Sequence, residues 1–141
     1  NVVAGANPMD LKAGIDAEPI IRRAIKRCGL MHGENFKKQC ADPTSGVDFK
    51  NAFLGDESKV GPQSFNMSDI QADYDNVTVD FHYCALVSAW KKLGFSDETC
   101  ELLCDMAMDG DRGIAEAMGL TLNLGDTIAK GCATCKLHFH K

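Results

Sequence analysis

Between positions 76 and 83 apolar and polar side chains alternate, with Val77, Val79, Phe81 and Tyr83 set against Thr78, Asp80 and His82. A period of two predicts a strand with one buried face. Asp75-Asn76 is turn material, so Ile70 to Tyr74 is predicted as its hairpin partner. The alternation returns at Leu120, Leu122 and Leu124, and again where Cys135, Leu137 and Phe139 interleave with Lys136, His138 and His140. Elsewhere the period is helical. From Asp16, a candidate N-cap with Pro19 in the first turn, Ile20, Ile21, Ala24, Ile25, Cys28 and Met31 recur at helical spacing. Arg22, Arg23, Lys26 and Arg27 fall on the opposite side, as a solvated basic face. Gly29 and Gly33 weaken the middle and predict a restart through Phe36 to Cys40.

Two further helices are predicted downstream. The first runs from Cys84 to Leu93, buries Leu86, Trp90 and Leu93, and stops at Gly94. The second is capped by Ser96, carries Asp97 and Glu98 in its first turn, and buries Cys100, Leu103, Cys104 and Ala107. Asp109-Gly110-Asp111 is expected to break it, with a short helix following through Ile114, Ala115 and Met118. Residues 42–68, with Pro43, Gly46, Gly55, Gly61 and Pro62, read as an irregular lid or substrate-facing segment holding a short helix near Asp48–Leu54. The predicted class is α+β, an antiparallel sheet packed against several helices. Residues 16–141 form one domain, and residues 1–15 are a separate small-residue-rich segment. The run at 3–16 resembles a helical segment of group I chaperonins and is given no function.

Composition narrows the function classes. The chain has 141 residues, 45% of them hydrophobic and 25% charged, as in an ordinary globular domain. A net charge of −5 argues against nucleic acid, whose phosphates need a basic face. No apolar run approaches the roughly 18–20 residues of a membrane span, and residues 1–30 hold no continuous apolar core of a secretion signal. The first residue is Asn1, as in a fragment, a processed end or an engineered boundary. Seven cysteines, an odd count in a chain this long, fit free thiols in a reducing cytoplasm. The expected partner is a small-molecule substrate, and a homo-oligomer is compatible with the pattern.

Five of those cysteines lie between Cys84 and Cys135, together with the only tryptophan. Cys132-Ala133-Thr134-Cys135 with His138 and His140 invites a zinc reading. Strand alternation puts Cys135 and the two histidines on opposite faces, so no metal and no cofactor is expected. A redox use of Cys132 and Cys135 is weaker still, because the pair does not open a helix after a strand. Cys100 and Cys104, one turn apart, fit ligand geometry and core packing alike. The densest chemical signal is Asp105, Asp109 and Asp111 with Arg112 and Glu116. Crowded carboxylates raise one another's pKa, so one serves as a base while another stays protonated. A capping turn in which Arg112 pairs locally explains the same residues equally well. His82 faces away from the predicted core and is either solvated or a substrate contact.

Cys84 with Gly94 ten residues on, Leu102-Leu103-Cys104, the DGDRGIAE run at 109–116, the LGDTIAKG run at 124–131 and the Cys135-x-Leu-x-Phe ending together resemble the L-2-amino-thiazoline-4-carboxylate hydrolases. The resemblance spans residues 77–140, and loosely 20–40 through IIRRAIKRCG. The ending is also similar to small-molecule-binding domains of the 4-vinyl reductase type, which implies an α+β fold and, as an alternative function, a sensor that binds without turnover. The hydrolase resemblance implies ring opening of a cyclic amidine, with Cys84, Cys104, Asp111 and Cys135 on the family's recurrent cysteines and aspartate. Leu124 stands where the family often has arginine, and Cys135-Lys136-Leu137 replaces a Cys-Asp-Phe ending. Both changes remove polar groups suited to a substrate carboxylate. In the expected mechanism Asp111 is base or acid, with Asp109 as its alternate. Cys104 is a nucleophile activated by the N-terminus of the following helix or by Arg112. Arg112, Cys84, His82 and Cys135 form the substrate-binding set.

Overall fold

The computed structural model describes residues 16–55 and 66–141. In chain order the elements are helices α1 (Glu18–Gln39) and α2 (Gly46–Leu54), strands β1 (Met67–Ala72) and β2 (Asn76–Phe81), helices α3 (Ala85–Lys92) and α4 (Asp97–Ala117), strand β3 (Thr121–Leu124), a 3-10 turn at Ile128–Lys130 and strand β4 (Cys135–His140). The chaperonin-like run up to position 15, and positions 56–65 of the expected lid, lie outside the described residues.

The sheet has the order β1-β2-β4-β3, with every pairing antiparallel. The last strand therefore enters between β2 and β3, with Val77 opposite Phe139, Val79 opposite Leu137 and Phe81 opposite Cys135. These six side chains form the buried face that the alternation predicts. They pack on Phe49, Ile114, Ala115 and Met118 from the helices. Phe49 meets Phe139 edge-on at 5.2 Å and stacks on Phe53 at 5.3 Å. Full burial of a side chain such as Phe139 contributes about 2 kcal/mol. The opposite face is polar: Lys136 pairs with Asp80 at 3.3 Å and His138 with Asn76 at 2.9 Å. The predicted hairpin is present, with an irregularity between Ser68 and Gln71.

The helices depart from expectation in an instructive way. Helix α1 is one unbroken run of 22 residues, and α4 runs for 21 residues straight through Asp109-Gly110-Asp111. The glycines expected to interrupt them are where the two helices cross. A Cβ on Gly29 would sit 2.0 Å from the Gly110 carbonyl oxygen, and one on Gly113 would sit 2.6 Å from the Lys26 carbonyl oxygen. Close backbone approach, not a break, is what the missing side chains serve. The contact stripe of α1 is Ile21, Ile25, Gly29 and Gly33 at four-residue intervals, which leaves Ile20 and Met31 each 57% exposed. The N-cap is Ala17, while the Asp16 carboxylate accepts from the Glu18 N–H. In α3 the buried pair is Val87 and Trp90, whereas Leu86 and Leu93 are exposed. Ser96 caps α4 as expected, accepting from the Thr99 N–H at 3.2 Å.

Candidate active site

Unbroken helicity through α4 sorts its chemistry-bearing residues into two stripes. Cys104, Ala107, Met108 and Asp111 follow helical spacing on one side, and Asp105, Asp109 and Arg112 follow it on the next. The first stripe lines a cavity of about 240 Å³, and the second packs against α1.

On the α1 side, two arginines and two aspartates bind crosswise. Arg22 donates Nη2 to Asp105 Oδ2 at 2.7 Å and Nη1 to Asp109 Oδ2 at 3.0 Å. Arg112 donates Nη2 to Asp105 Oδ1 at 2.8 Å and Nη1 to Asp109 Oδ1 at 2.7 Å. Each carboxylate thus receives one arginine per oxygen. Arg22 also donates Nε to Glu18 at 2.9 Å, and Arg112 reaches the Asp105 carbonyl at 2.9 Å. The Arg112 hydrogen bond, joined by that of Arg22, holds the Asp105 carboxyl below the ordinary carboxylate range. The basic side of α1 is therefore not simply solvated: Arg22 belongs to this clamp, and Lys26 pairs with Glu116 at 2.8 Å. Arg22 flanks the glycine stripe, so its direction follows from the crossing. Its partners, more than eighty positions away, are set by the tertiary fold alone.

On the cavity side, Asp111 meets no hydrogen-bond donor among the described residues, and burial pushes its carboxyl up to about 6, against the charge of Arg112. Phe53, Phe81, Leu86, Trp90, Met108 and Leu137 supply apolar walls. Three thiols share the lining. Cys84 is the N-cap of α3, Cys135 opens β4 and accepts from the Ile128 N–H at 3.2 Å, and Cys104 comes from α4. Burial pushes the Cys104 thiol up to about 12, and the neighbouring Cys135 and Cys84 add to the effect. The helix N-terminus expected to activate Cys104 does not exist, because α4 continues past it. Cys104 also lines a second, open cleft of about 360 Å³, together with Glu98, Glu101, Asp105 and Lys130.

Of the residues expected from the sequence, the fold gathers Cys84, Cys104, Asp111 and Cys135 around one cavity. It sets Asp109 and Arg112 in the clamp on the other stripe. His82 is exposed and its ring pairs with the Ser68 hydroxyl, away from the cavity lining. Trp90 and Phe81 are expected from the sequence as core, while Phe53 carries no such signal there; Trp90, 2% exposed, is both core and cavity wall.

These features define an α+β protein with a four-stranded antiparallel sheet and a thiol- and carboxylate-lined cavity between α3, α4 and the sheet. The sequence profile of the family described as L-2-amino-thiazoline-4-carboxylic acid hydrolase matches residues 6–139, and the chain belongs to that family. Its similarity is to a hydrolase family; a 4-vinyl reductase-type ending finds no support. No curated protein and no solved structure gives a match. Among the described residues no helix is long and apolar enough to cross a membrane.

Proposed function

We propose that this chain hydrolyses the ring of a small cyclic amidine held in the α4 cavity, with Asp111 as general base and then general acid. The observation that supports it is the Asp111 carboxyl, without a partner among the described residues, in an apolar cavity and pushed up to about 6. A proton carrier works best when its pKa lies near the working pH. Asp109, the alternate, has each carboxylate oxygen engaged by an arginine and lies on the stripe that faces α1, away from the cavity. The fork of Arg112 is likewise engaged, which leaves it a positioning role on α4.

Water adds to the carbon between nitrogen and sulfur while Asp111 takes one of its protons. Collapse of that adduct breaks the ring C–N bond, and Asp111 returns the proton to the departing nitrogen. The carbamoyl group stays on sulfur and the second water proton ends on the released amine. A protonated amidine and water thus become a thiocarbamate and an ammonium group, with charge conserved. A thiol pushed up to about 12 is a poor source of thiolate at neutral pH, so water rather than Cys104 is the attacking group. Cys84, Cys104 and Cys135 serve as soft walls beside the ring sulfur.

Incubation with a panel of cyclic amidines, followed by mass spectrometry, tests this directly. The expected product is the substrate plus one water, formed by wild type and lost in Asp111→Asn. Turnover at the wild-type rate in Asp111→Asn sinks the assignment, and recovery of every panel member unchanged from wild-type protein sinks the reaction.

A further inference from the structure

Three thiols line the α4 cavity, and the hydrolytic reaction consumes none of them. Cys84, Cys104 and Cys135 share the wall, while Cys132, the near neighbour of Cys135 in sequence, is not part of that lining. The fold gives Cys135 a partner from another element. Strands β2 and β4 pair with Phe81 opposite Cys135, and the chain leaves β2 there to reach Cys84, the N-cap of α3, three residues later. Two sulfurs on the wall of a cavity of about 240 Å³ are close neighbours. They also feel each other's charge. Burial is the main cause that pushes the Cys135 thiol up, and Cys84 adds to it, while the Ile128 N–H at 3.2 Å favours the thiolate.

The thiols differ in access. Cys84 is half-buried and Cys135 is buried. Leu86, on the same wall, is exposed, so the cavity opens to solvent beside Cys84. Cys104 faces the same space, but a thiol pushed up to about 12 is a poor nucleophile at neutral pH. We propose that Cys84 and Cys135 are an oxidant-sensitive pair whose disulfide closes the cavity. A hydroperoxide gives one oxygen to the Cys84 thiol, its O–O bond breaks, and the rest leaves as an alcohol, or as water from hydrogen peroxide. Cys84 is then a sulfenic acid. The Cys135 sulfur attacks it, the S–S bond forms as the S–O bond breaks, and the departing hydroxide takes the Cys135 proton to become water. Two thiols are oxidised and one peroxide is reduced. The new bond ties the first residue of β4 to the N-cap of α3 and takes the space that a ring needs, with Asp111 untouched. Added dithiol reverses it by exchange.

The test treats the full chain with hydrogen peroxide, alkylates the remaining thiols and maps the peptides by mass spectrometry. The expected product is lighter by two hydrogens, with Cys84 joined to Cys135. Trp90 is the only tryptophan and lines the same cavity, so its emission is expected to fall as the disulfide forms beside it and to recover with dithiothreitol. Cys84→Ser and Cys135→Ser, checked for folding by circular dichroism, are each expected to lose the link, and Cys104→Ala to keep it. A link made through Cys104 or Cys132, or oxidation of Cys84 and Cys135 with no link between them, overturns the proposal, and wild-type peptides alone decide this. Turnover of a cyclic amidine is expected to be lost in the linked protein and restored by dithiothreitol. Unchanged turnover by linked protein overturns closure of the cavity. A reduced wild-type protein without turnover removes the hydrolytic reading, and the peptide map and Trp90 emission still decide the disulfide.

Discussion

The two stripes of α4 carry the same side-chain chemistry in opposite states. Asp105 and Asp109 face α1 and are fully paired; Asp111, two residues from Asp109, faces the cavity without a partner among the described residues. Hydrogen bonds from Arg112 and Arg22 pull the Asp105 carboxyl down, while burial pushes Asp111 up to about 6. A rotation of about 200° around a helix separates residues two positions apart, enough to move one from an ionic clamp to an apolar pocket. A cluster of acids in a sequence is thus not one site. The paired acids hold the helices together, and the lone acid is free for protons.

The sharpest way to separate the stripes is to neutralise one acid at a time. Asp111→Asn is expected to lower kcat/KM by about 10²–10⁴-fold, the usual contribution of a positioned acid–base group. The same change is expected to stabilise the fold at pH 7. Its folded pKa lies above the ordinary 3.8, so the native state holds the proton more tightly, and stability is lost as pH rises from about 4 to about 6. Removing that ionisation returns roughly 1–3 kcal/mol, read by chemical denaturation at pH 7. Asp109→Asn should do the reverse, keeping turnover and losing roughly 1–2 kcal/mol, because its arginines lose an ionised partner in a part-buried clamp.

Next in size is the crossing that sets both stripes. Gly29→Ala places a methyl 2.0 Å from the Gly110 carbonyl oxygen, so α1 and α4 must separate. A loss of about 1–3 kcal/mol is expected from such overpacking, with weaker turnover as the helix carrying Asp111 shifts. A Gly29→Ala protein as stable as wild type contradicts the close crossing.

Smaller again is Arg22→Ala, at about 1 kcal/mol, since solvent screens much of the clamp. Asp105 has a depressed pKa, so its contribution is present above the ordinary 3.8 and lost as pH falls through the lower folded value. The difference between Arg22→Ala and wild type should therefore shrink in acid, which pH-dependent denaturation measures. Cys104→Ala is expected to change kcat/KM least, by less than about tenfold, because a thiol pushed up to about 12 is not the attacking group.

Much of this frame was legible from the pattern of side chains. The alternation at Val77 to Phe81 and at Cys135 to Phe139 locates two strands, and the turn at Asp75-Asn76 locates the hairpin that joins the first of them to β1. Ser96 marks the start of α4 because capping is a local event. What was not legible is long-range. Gly29 and Gly110 look like helix breakers until each is seen as the space the other needs. Once Gly110 sits inside a helix, Asp109 and Asp111 must point to different sides, one into the arginine clamp and the other into the cavity lining. Arg22 looked like surface for the same reason, since its partners arrive only when α4 crosses α1. Leu86 and Val87 show the fine limit of such reading, for both lie within one turn of Trp90 on its side of α3, and tertiary packing decides which of the two is buried.

The measurement that bears most directly on the contrast between stripes is the pH dependence of kcat/KM for a turned-over cyclic amidine. A base that must be ionised gives an acid limb, so the rate is expected to rise with pH and level off above about 6. That limb should vanish from the residual activity of Asp111→Asn and persist unchanged in Asp109→Asn. A limb that survives in Asp111→Asn and disappears in Asp109→Asn contradicts the account, and moves the chemistry to the face that the arginines hold.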